Sequence, residues 1–314
     1  MSLAAMEQET ENQIEDLPKF ASLLSALRSL RIPPSELVFT GSGDSYAAAL
    51  FAQELSGGVA LASDPYELSQ KTHLTSGKNV VVISVSGRTT ANLELARRVK
   101  RIARKRIAVT ANPNSPLAKR CDKRIILRYQ PAGRLTSGTL SFTASLLACA
   151  HILGKLPVKL NLRTAMKKAS EWARSVKTPL KGSFLFIGSG INRALAEYGA
   201  CKIHEVLGAK ASAQYPENVG HAQLFSIDRR EDTIVCISMG GDNKTKKLAG
   251  PLERNGFRVR TITGHSKNIV ARSVEVSFYL QHLTLTLAKR RGMEECAFLA
   301  DAARLQLGDR LIYQ

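Results

Sequence analysis

Ser84, Ser86 and Thr89 crowd around a single glycine, Gly87, in the stretch Ser84-Val85-Ser86-Gly87-Arg88-Thr89. Hydroxyls at this spacing can all donate to one small anion. The apolar run Asn79-Val80-Val81-Val82-Ile83 precedes them and reads as a buried strand. A helical pattern follows, from Thr90 to Val99. A helix that starts at a strand's end leaves its first N–H groups without internal partners and aims its dipole's positive end at the turn. Hydroxyls, N–H groups and dipole then converge on one place, which suits a phosphate held without a metal or a P-loop lysine.

A second turn of this kind lies upstream. Leu37-Val38-Phe39-Thr40 reads as a strand, Gly41-Ser42-Gly43-Asp44-Ser45 as the turn, and Tyr46 to about Leu55 as an Ala-rich helix. Gly43 and Ser45 therefore join the phosphate-binding candidates. In open α/β sheets, ligands sit beyond the carboxyl ends of the strands, where such turns gather. One Gly/Ser turn is ordinary turn chemistry; two in one half of the chain point to a ligand.

These turns need parallel strands with helices between them, and the rest of the chain supplies that pattern. Residues 8–31 read as an amphipathic helix that Pro18 is expected to break or restart, and Pro33-Pro34 ends it. Strands are predicted at 36–40, 58–62, 79–84, 106–110 and 124–128, and helices at 45–55, 64–70, 89–103, 116–119 and 138–153. Near-continuous Val/Ile runs are the mark of a parallel sheet covered on both faces. Gly154-Lys155-Leu156-Pro157 is the expected boundary, dividing the chain into 1–154 and 155–314.

The second half repeats the plan. A helix over 160–176 leads into a strand at 183–187, and Gly188-Ser189-Gly190 opens a helix over 193–207. A strand at 233–237 runs through Ser238-Met239-Gly240-Gly241-Asp242 into a helix over 243–255. Gly41-Ser42-Gly43 thus recurs 147 residues later, and Ser84-Val85-Ser86-Gly87 recurs as Ser238-Met239-Gly240-Gly241 after 154. A duplicated domain explains both offsets, against convergence of two ordinary doubly wound domains. The first copy keeps the hydroxyls, so the phosphate is assigned to it.

Composition narrows the partners. The chain has 314 residues, 44% of them apolar, and carries 45 Lys and Arg against 26 Asp and Glu, a net charge of +19. So basic a chain favours anionic partners. Nucleic acid is not expected, because the basic residues are spread along helices and no nucleic-acid motif is present. The five cysteines are scattered without a CxxC pair and read as reduced core residues, with no metal site and no cofactor implied. No apolar stretch reaches the ~18 residues of a membrane span, and a cytoplasmic location is expected.

At these motifs the chain resembles the SIS (sugar isomerase) family. It looks most like the isomerase half of glucosamine–fructose-6-phosphate synthase and the glucosamine-6-phosphate deaminases. The resemblance rests on Gly43-Asp44-Ser45-Tyr46, on Ser84 to Thr89, and on Lys202-Ile203-His204-Glu205-Val206. It implies two tandem doubly wound, flavodoxin-like parallel-sheet SIS domains flanked by helices, and a homodimer with shared sites. The family's phosphate loop matches Ser84, Ser86 and Thr89, with Ser45 as a further donor. The family has Gln where this chain has Val85, and Glu where it has Arg88. A later Ser/Thr-rich segment looks like Leu135 to Leu140, with Leu140 in place of a Lys and Ser137 and Thr139 as donors. Lys202 is counted among the sugar-phosphate contacts.

Aldose–ketose isomerisation moves a proton between C1 and C2 through an enediol, and needs a base, help in ring opening and donors for the enediolate oxygen. The resemblance assigns the base to Glu205. If the face bearing it is buried, desolvation would raise its pKa; the plain alternative is a surface carboxylate paired with Lys202 or Lys210. His221, in a loop similar to the family's ring-opening segment, is the second catalytic candidate, and would act in its own or a partner's site. This chain spaces Glu217 and His221 one residue further apart than the family does and lacks the Gly-Pro that follows. Relatives carry a catalytic Lys near the C-terminus, whereas the last Lys here is Lys289. Arg310 stays protonated and cannot form an imine. With no cysteine nucleophile at the N-terminus, glutamine-dependent amination by this chain alone is not expected. The reading is therefore a phosphosugar-binding aldose–ketose isomerase acting on a hexose phosphate. An amino-sugar-phosphate deaminase and a non-catalytic sugar-phosphate sensor are the alternatives.

Overall fold

A computed structural model describes residues 1–27, 30–157, 159–179 and 181–314. The described chain forms two compact units. One comprises residues 15–130, 140–159 and 302–314 and holds a five-stranded sheet. The other comprises 1–14, 131–139 and 160–301 and holds a four-stranded sheet. Helix α1 (Ser2–Ala26) contributes to both.

In the five-strand unit, β1 (Leu37–Thr40), β2 (Leu61–Ser63), β3 (Asn79–Ile83), β4 (Lys105–Thr110) and β5 (Lys123–Ile126) are all parallel, in the order β2-β1-β3-β4-β5. Every residue of β1 and β3 is buried, as the hydrophobic runs require of central strands covered on both faces. The connecting helices are α2 (Asp44–Leu55), α3 (Pro65–Gln70), α4 (Thr90–Arg98), α5 (Pro116–Arg120) and α6 (Leu140–Ile152). Val80 and Val82 pack with Leu95, Ala96 and Val99 on one face of the sheet. The Ala-rich α2 packs against α6, whose side chains are all buried.

In the four-strand unit, α7 (Arg163–Ser175) precedes β6 (Phe184–Ile187), α8 (Ile191–Lys202) and β7 (Ala211–Gln214). Then come α9 (Pro216–His221), β8 (Thr233–Ile237), α10 (Asn243–Arg254), β9 (Val259–Ile262), α11 (Ile269–Arg290) and α12 (Ala297–Ala300). The strands are parallel in the order β7-β6-β8-β9, matching the first four strands of the other sheet. Helix α11 is buried along most of its length and packs on α7 and α8. The C-terminal α13 (Ala302–Tyr313) returns to the five-strand unit and packs on α4.

Three sequence expectations are corrected. Pro18 neither breaks nor restarts α1, which runs through it without interruption. The first helix ends at Ala26 rather than at 31; residues 28 and 29 of that expectation lie outside the described residues. Strands β7 and β9 were not foreseen. Both are sheet edges, where one side goes unpaired, and Ala-Ser-Ala-Gln and Val-Arg-Thr-Ile lack the continuous apolar run of a central strand. No described helix is long and apolar enough to cross a membrane.

Candidate functional site

Strands β1 and β3 are neighbours, with Thr40 in register with Val82, so the turns that follow them lie side by side. The chain order reverses here, which is the switch point where open α/β sheets bind ligands. The loop after β3 is pinned from several sides. Ser84 N–H continues the ladder to Val109 O (2.9 Å), and Thr110 Oγ1 and Ala111 N both donate to Val85 O (3.0 Å each). Gly87 N–H turns back onto Ser84, 3.1 Å from its carbonyl and 3.2 Å from its Oγ. Gly87 has φ +63°, and a Cβ there would lie 2.2 Å from Ser115 Oγ. Only glycine meets both demands.

Two of the candidate hydroxyls, those of Ser84 and Thr89, come close together. Ser84 Oγ is 3.5 Å from Thr89 Oγ1, and Ser86 Oγ accepts from Arg88 N at 3.3 Å. Thr89 is the N-cap residue of α4, but its side chain makes no capping bond. The first turn of α4 is therefore not capped by Thr89 and can serve an external anion. The turn after β1 is built around Gly43 (φ 56°, ψ −127°), with Ser45 N donating to Ser42 O at 3.1 Å. The exposed Arg88 stacks on the Tyr313 ring at 5.1 Å, beside a cavity also lined by Gln306, Asp309 and Arg310 of α13.

The remaining candidates lie in the four-strand unit. Helix α8 passes into a π-helical turn, Ile203–Leu207, which ends at Gly208 (φ 59°). Such turns re-aim side chains and recur at functional sites. Lys202 Nζ, fully buried, donates to Ser137 Oγ and to Glu205 Oε2, at 2.6 Å each. Ser137 Oγ in turn donates to the same Oε2 at 2.6 Å. Glu205 thus does pair with Lys202, but with a buried cation rather than a surface one, and its own side chain is 36% exposed. The Tyr198 ring lies 5.2 Å from Lys202 Nζ, and its hydroxyl donates to Gly138 O and accepts from Gln281 Nε2.

Thr139 Oγ1 donates to Glu9 Oε2 at 3.4 Å, and Ala132 N to Glu9 Oε1 at 3.3 Å. Burial pushes the Glu9 carboxyl above its ordinary range, against the pull of these donors and of the Lys202 charge. Ser137 and Thr139 therefore engage carboxylates of their own unit. His221, at the end of α9, is 77% exposed and 3.5 Å from Glu217, which also pairs with Lys244 at 2.6 Å.

Glu9 and Tyr198 escaped the sequence reading. A signal existed for Glu9: it lies with Thr10 and Gln13 on the buried stripe of α1 that also carries Met6, Leu17, Phe20 and Leu24. Polar residues on such a stripe need partners.

Residues 32–153 match the family model described as the SIS domain. The match takes in Ser45, Ser84 to Thr89, Ser137 and Thr139, and leaves Lys202, Glu205 and His221 outside it. The glutamine–fructose-6-phosphate aminotransferase (isomerizing) of Sulfurisphaera tokodaii is 27% identical over 260 residues, 78% of this chain and 43% of that protein. The chain thus spans about two fifths of that relative's length. Among solved structures, glucosamine-6-phosphate deaminase from Thermotoga maritima has a TM-score of 0.76 at 17% identity, covering 92% of this chain and 95% of its own. Tagatose-6-phosphate ketose/aldose isomerase from Escherichia coli has a TM-score of 0.74 at 16% identity, covering 92% and 93%. These likenesses establish the fold. Residues 32–153 thus match the SIS domain, and 78% of the chain is similar to part of a glutamine–fructose-6-phosphate aminotransferase.

Proposed function

We propose that this chain binds a hexose phosphate and interconverts its aldose and ketose forms through an enediol. The observation that carries the chemistry is the Ser137–Lys202–Glu205 cluster. Oε2 of Glu205 is held by two donors, while among the described residues none is seen to reach Oε1. A carboxylate fixed at one oxygen presents the other at a set angle, as a base that moves a proton between C1 and C2 must. The buried ammonium of Lys202 would offset negative charge as it passes to the enediolate. The phosphate would be held at the end of β1 and β3 by Ser45, Ser84, Ser86 and Thr89 and by the backbone at Gly43 and Gly87. His221 would help open the sugar ring, in its own chain or in a partner of a homodimer.

We also read the half beyond about residue 155 as a second SIS copy. The shared strand order supports this, as does the shared turn geometry. Gly190 (φ 57°, ψ −131°) repeats Gly43, and a Cβ on Gly188 would meet Asn192 Cβ at 2.6 Å, as one on Gly41 would meet Ser45 Cβ at 2.6 Å.

The test is proton–deuterium exchange by NMR, with fructose-6-phosphate, glucose-6-phosphate and glucosamine-6-phosphate each incubated with the protein in D₂O. Exchange at C1 or C2 without ammonia is expected. Ammonia from glucosamine-6-phosphate would make the chain a deaminase. Thermal stabilisation by a sugar phosphate with no exchange would make it a sensor. Exchange undiminished in His221→Ala would remove His221 from the mechanism.

A further inference from the structure

We infer that Glu9, on α1, is a positioning residue for Glu205: it holds in place the segment that carries Ser137, the hydroxyl bonded to the proposed base. The inference rests on the isomerase reading above. Residues 131–139 contain no helix or strand, so side-chain bonds must set their path. Glu9 grips this segment at two points. Its Oε1 accepts from Ala132 N at 3.3 Å and its Oε2 from Thr139 Oγ1 at 3.4 Å. Further ties run to the same helix. Thr136 Oγ1 donates to Ser2 O at 2.8 Å. Gln13 Nε2 donates to Gln281 Oε1 at 2.8 Å, Gln281 Nε2 to the Tyr198 hydroxyl at 3.0 Å, and that hydroxyl to Gly138 O at 3.0 Å. Between Thr136 and Gly138 stands Ser137, whose Oγ lies 2.6 Å from both Lys202 Nζ and Glu205 Oε2.

Stability alone does not account for a carboxyl at this place. Glu9 is 7% exposed, on the buried stripe of α1 that carries Met6, Leu17, Phe20 and Leu24. Its two hydrogen bonds are longer than the 2.6 Å bonds of the Lys202 cluster, and burial pushes its pKa up against them. Replacing a buried charged group by a well-packed apolar one is often neutral or stabilising. Residues kept against local stability gather at functional sites. What the carboxylate adds is position and charge. It alone offers two acceptor oxygens to two donors so placed, one near each end of the segment. The Lys202 charge also bears on Glu9 as well as on Glu205. Loss of the Glu9 carboxylate would release both ends of the segment and shift Ser137 relative to Glu205. A shift of about 1 Å in such a constellation costs about a hundredfold in rate.

The experiment measures proton–deuterium exchange on the sugar in Glu9→Gln and Glu9→Leu beside the wild type, with a thermal melt of each. Gln keeps one acceptor oxygen and Leu none. The kcat for exchange should fall about tenfold in Glu9→Gln and about a hundredfold in Glu9→Leu. KM should stay within about twofold, and Tm should change little. A graded loss of kcat at constant KM is the mark of a misplaced base, and a residue that only packs would not produce it. Undiminished kcat in either folded variant overturns the proposal. So does a rise in KM with kcat kept, or a kcat loss that follows a loss of Tm. Where Glu9→Leu fails to fold, Glu9→Gln decides. The backbone amide resonance of Ser137, read without ligand, should move in both variants; an unmoved Ser137 overturns the proposal whether or not the wild type turns over. Exchange absent in the wild type removes the isomerase reading instead, and the Ser137 amide then decides alone whether Glu9 holds the segment.

Discussion

Lys202 Nζ lies 2.6 Å from Glu205 Oε2, with the ammonium fully buried and the carboxylate about a third exposed. The pair is therefore lopsided: the lysine is wholly out of water, while the glutamate still reaches it. Breaking a buried pair from one side leaves an uncompensated charge at a cost of about 3–5 kcal/mol. Partial exposure of Glu205 places this case at the lower end. Glu205→Ala removes a carboxylate from the buried Lys202 ammonium and should lower stability by about 3 kcal/mol. Glu205→Gln keeps an acceptor for Ser137 and Lys202 but removes the negative charge, and should cost about 2 kcal/mol. Both should reduce hydrogen exchange on the sugar by about 10²–10⁴-fold. Chemical denaturation beside the exchange assay separates the effects: turnover unchanged in a folded Gln variant would remove Glu205 from the chemistry.

Ser86 and Thr89 flank Gly87 and contribute little to the packed interior. Ser86→Ala and Thr89→Val should weaken sugar-phosphate binding by about tenfold each, roughly one charge-assisted hydrogen bond. The loss should appear in KM, or in the ligand-induced rise in Tm, with kcat little altered. A lowered kcat at constant KM would mean that the loop acts on the reacting carbons rather than on the phosphate.

Gly87→Ala meets two obstacles at once. Its φ of +63° disfavours a Cβ, and that Cβ would lie 2.2 Å from Ser115 Oγ and 2.5 Å from Ser115 Cβ. A loss of about 2–4 kcal/mol follows. Ser115→Gly in the same chain should recover the packing part and leave the backbone part. A double-mutant cycle with no coupling would refute the contact.

His282 sets an acid limit on the four-strand unit. Burial lowers its pKa from 6.5 to about 4, against the attraction of Glu7 and together with the charges of Arg174 and Lys289. Its Nε2 is 3.1 Å from Met166 Sδ. The folded state thus favours the neutral ring. The stability this contributes is present above pH 6.5 and is lost as pH falls towards 4. His282→Gln removes the titration. Between pH 7 and pH 4 the wild type should lose about 3 kcal/mol more than the variant. Parallel curves in denaturant melts across that range would show that the ring titrates as it does in water.

The central strands were legible because they carry their own signal. Val80 to Ile83 and Ile234 to Ile237 are buried on both faces, so burial demands one apolar residue after another. The edge strands β7 and β9 are half relieved of that demand and went unread. The turns were legible for a related reason. Gly43, Gly87 and Gly190 stand where φ is positive, and the residues beside them begin helices, so the chemistry of each turn is written within a few residues.

Amino-acid order by itself determined the alternation of strand and helix, the two Gly/Ser turns and their echo in the second half. Those features depend on steric and hydrogen-bonding preferences that act between near neighbours. Only the tertiary structure decided that Ser137 meets Lys202 and Glu205, that Glu9 holds Thr139, and that Asp242 reaches Ser189 and Asn192. Most of these partners are tens of residues apart, and Glu9 and Thr139 more than a hundred. No local preference links them. Each is fixed by the cost of burying a charge or a polar group alone, and that cost exists only once the fold has closed around it.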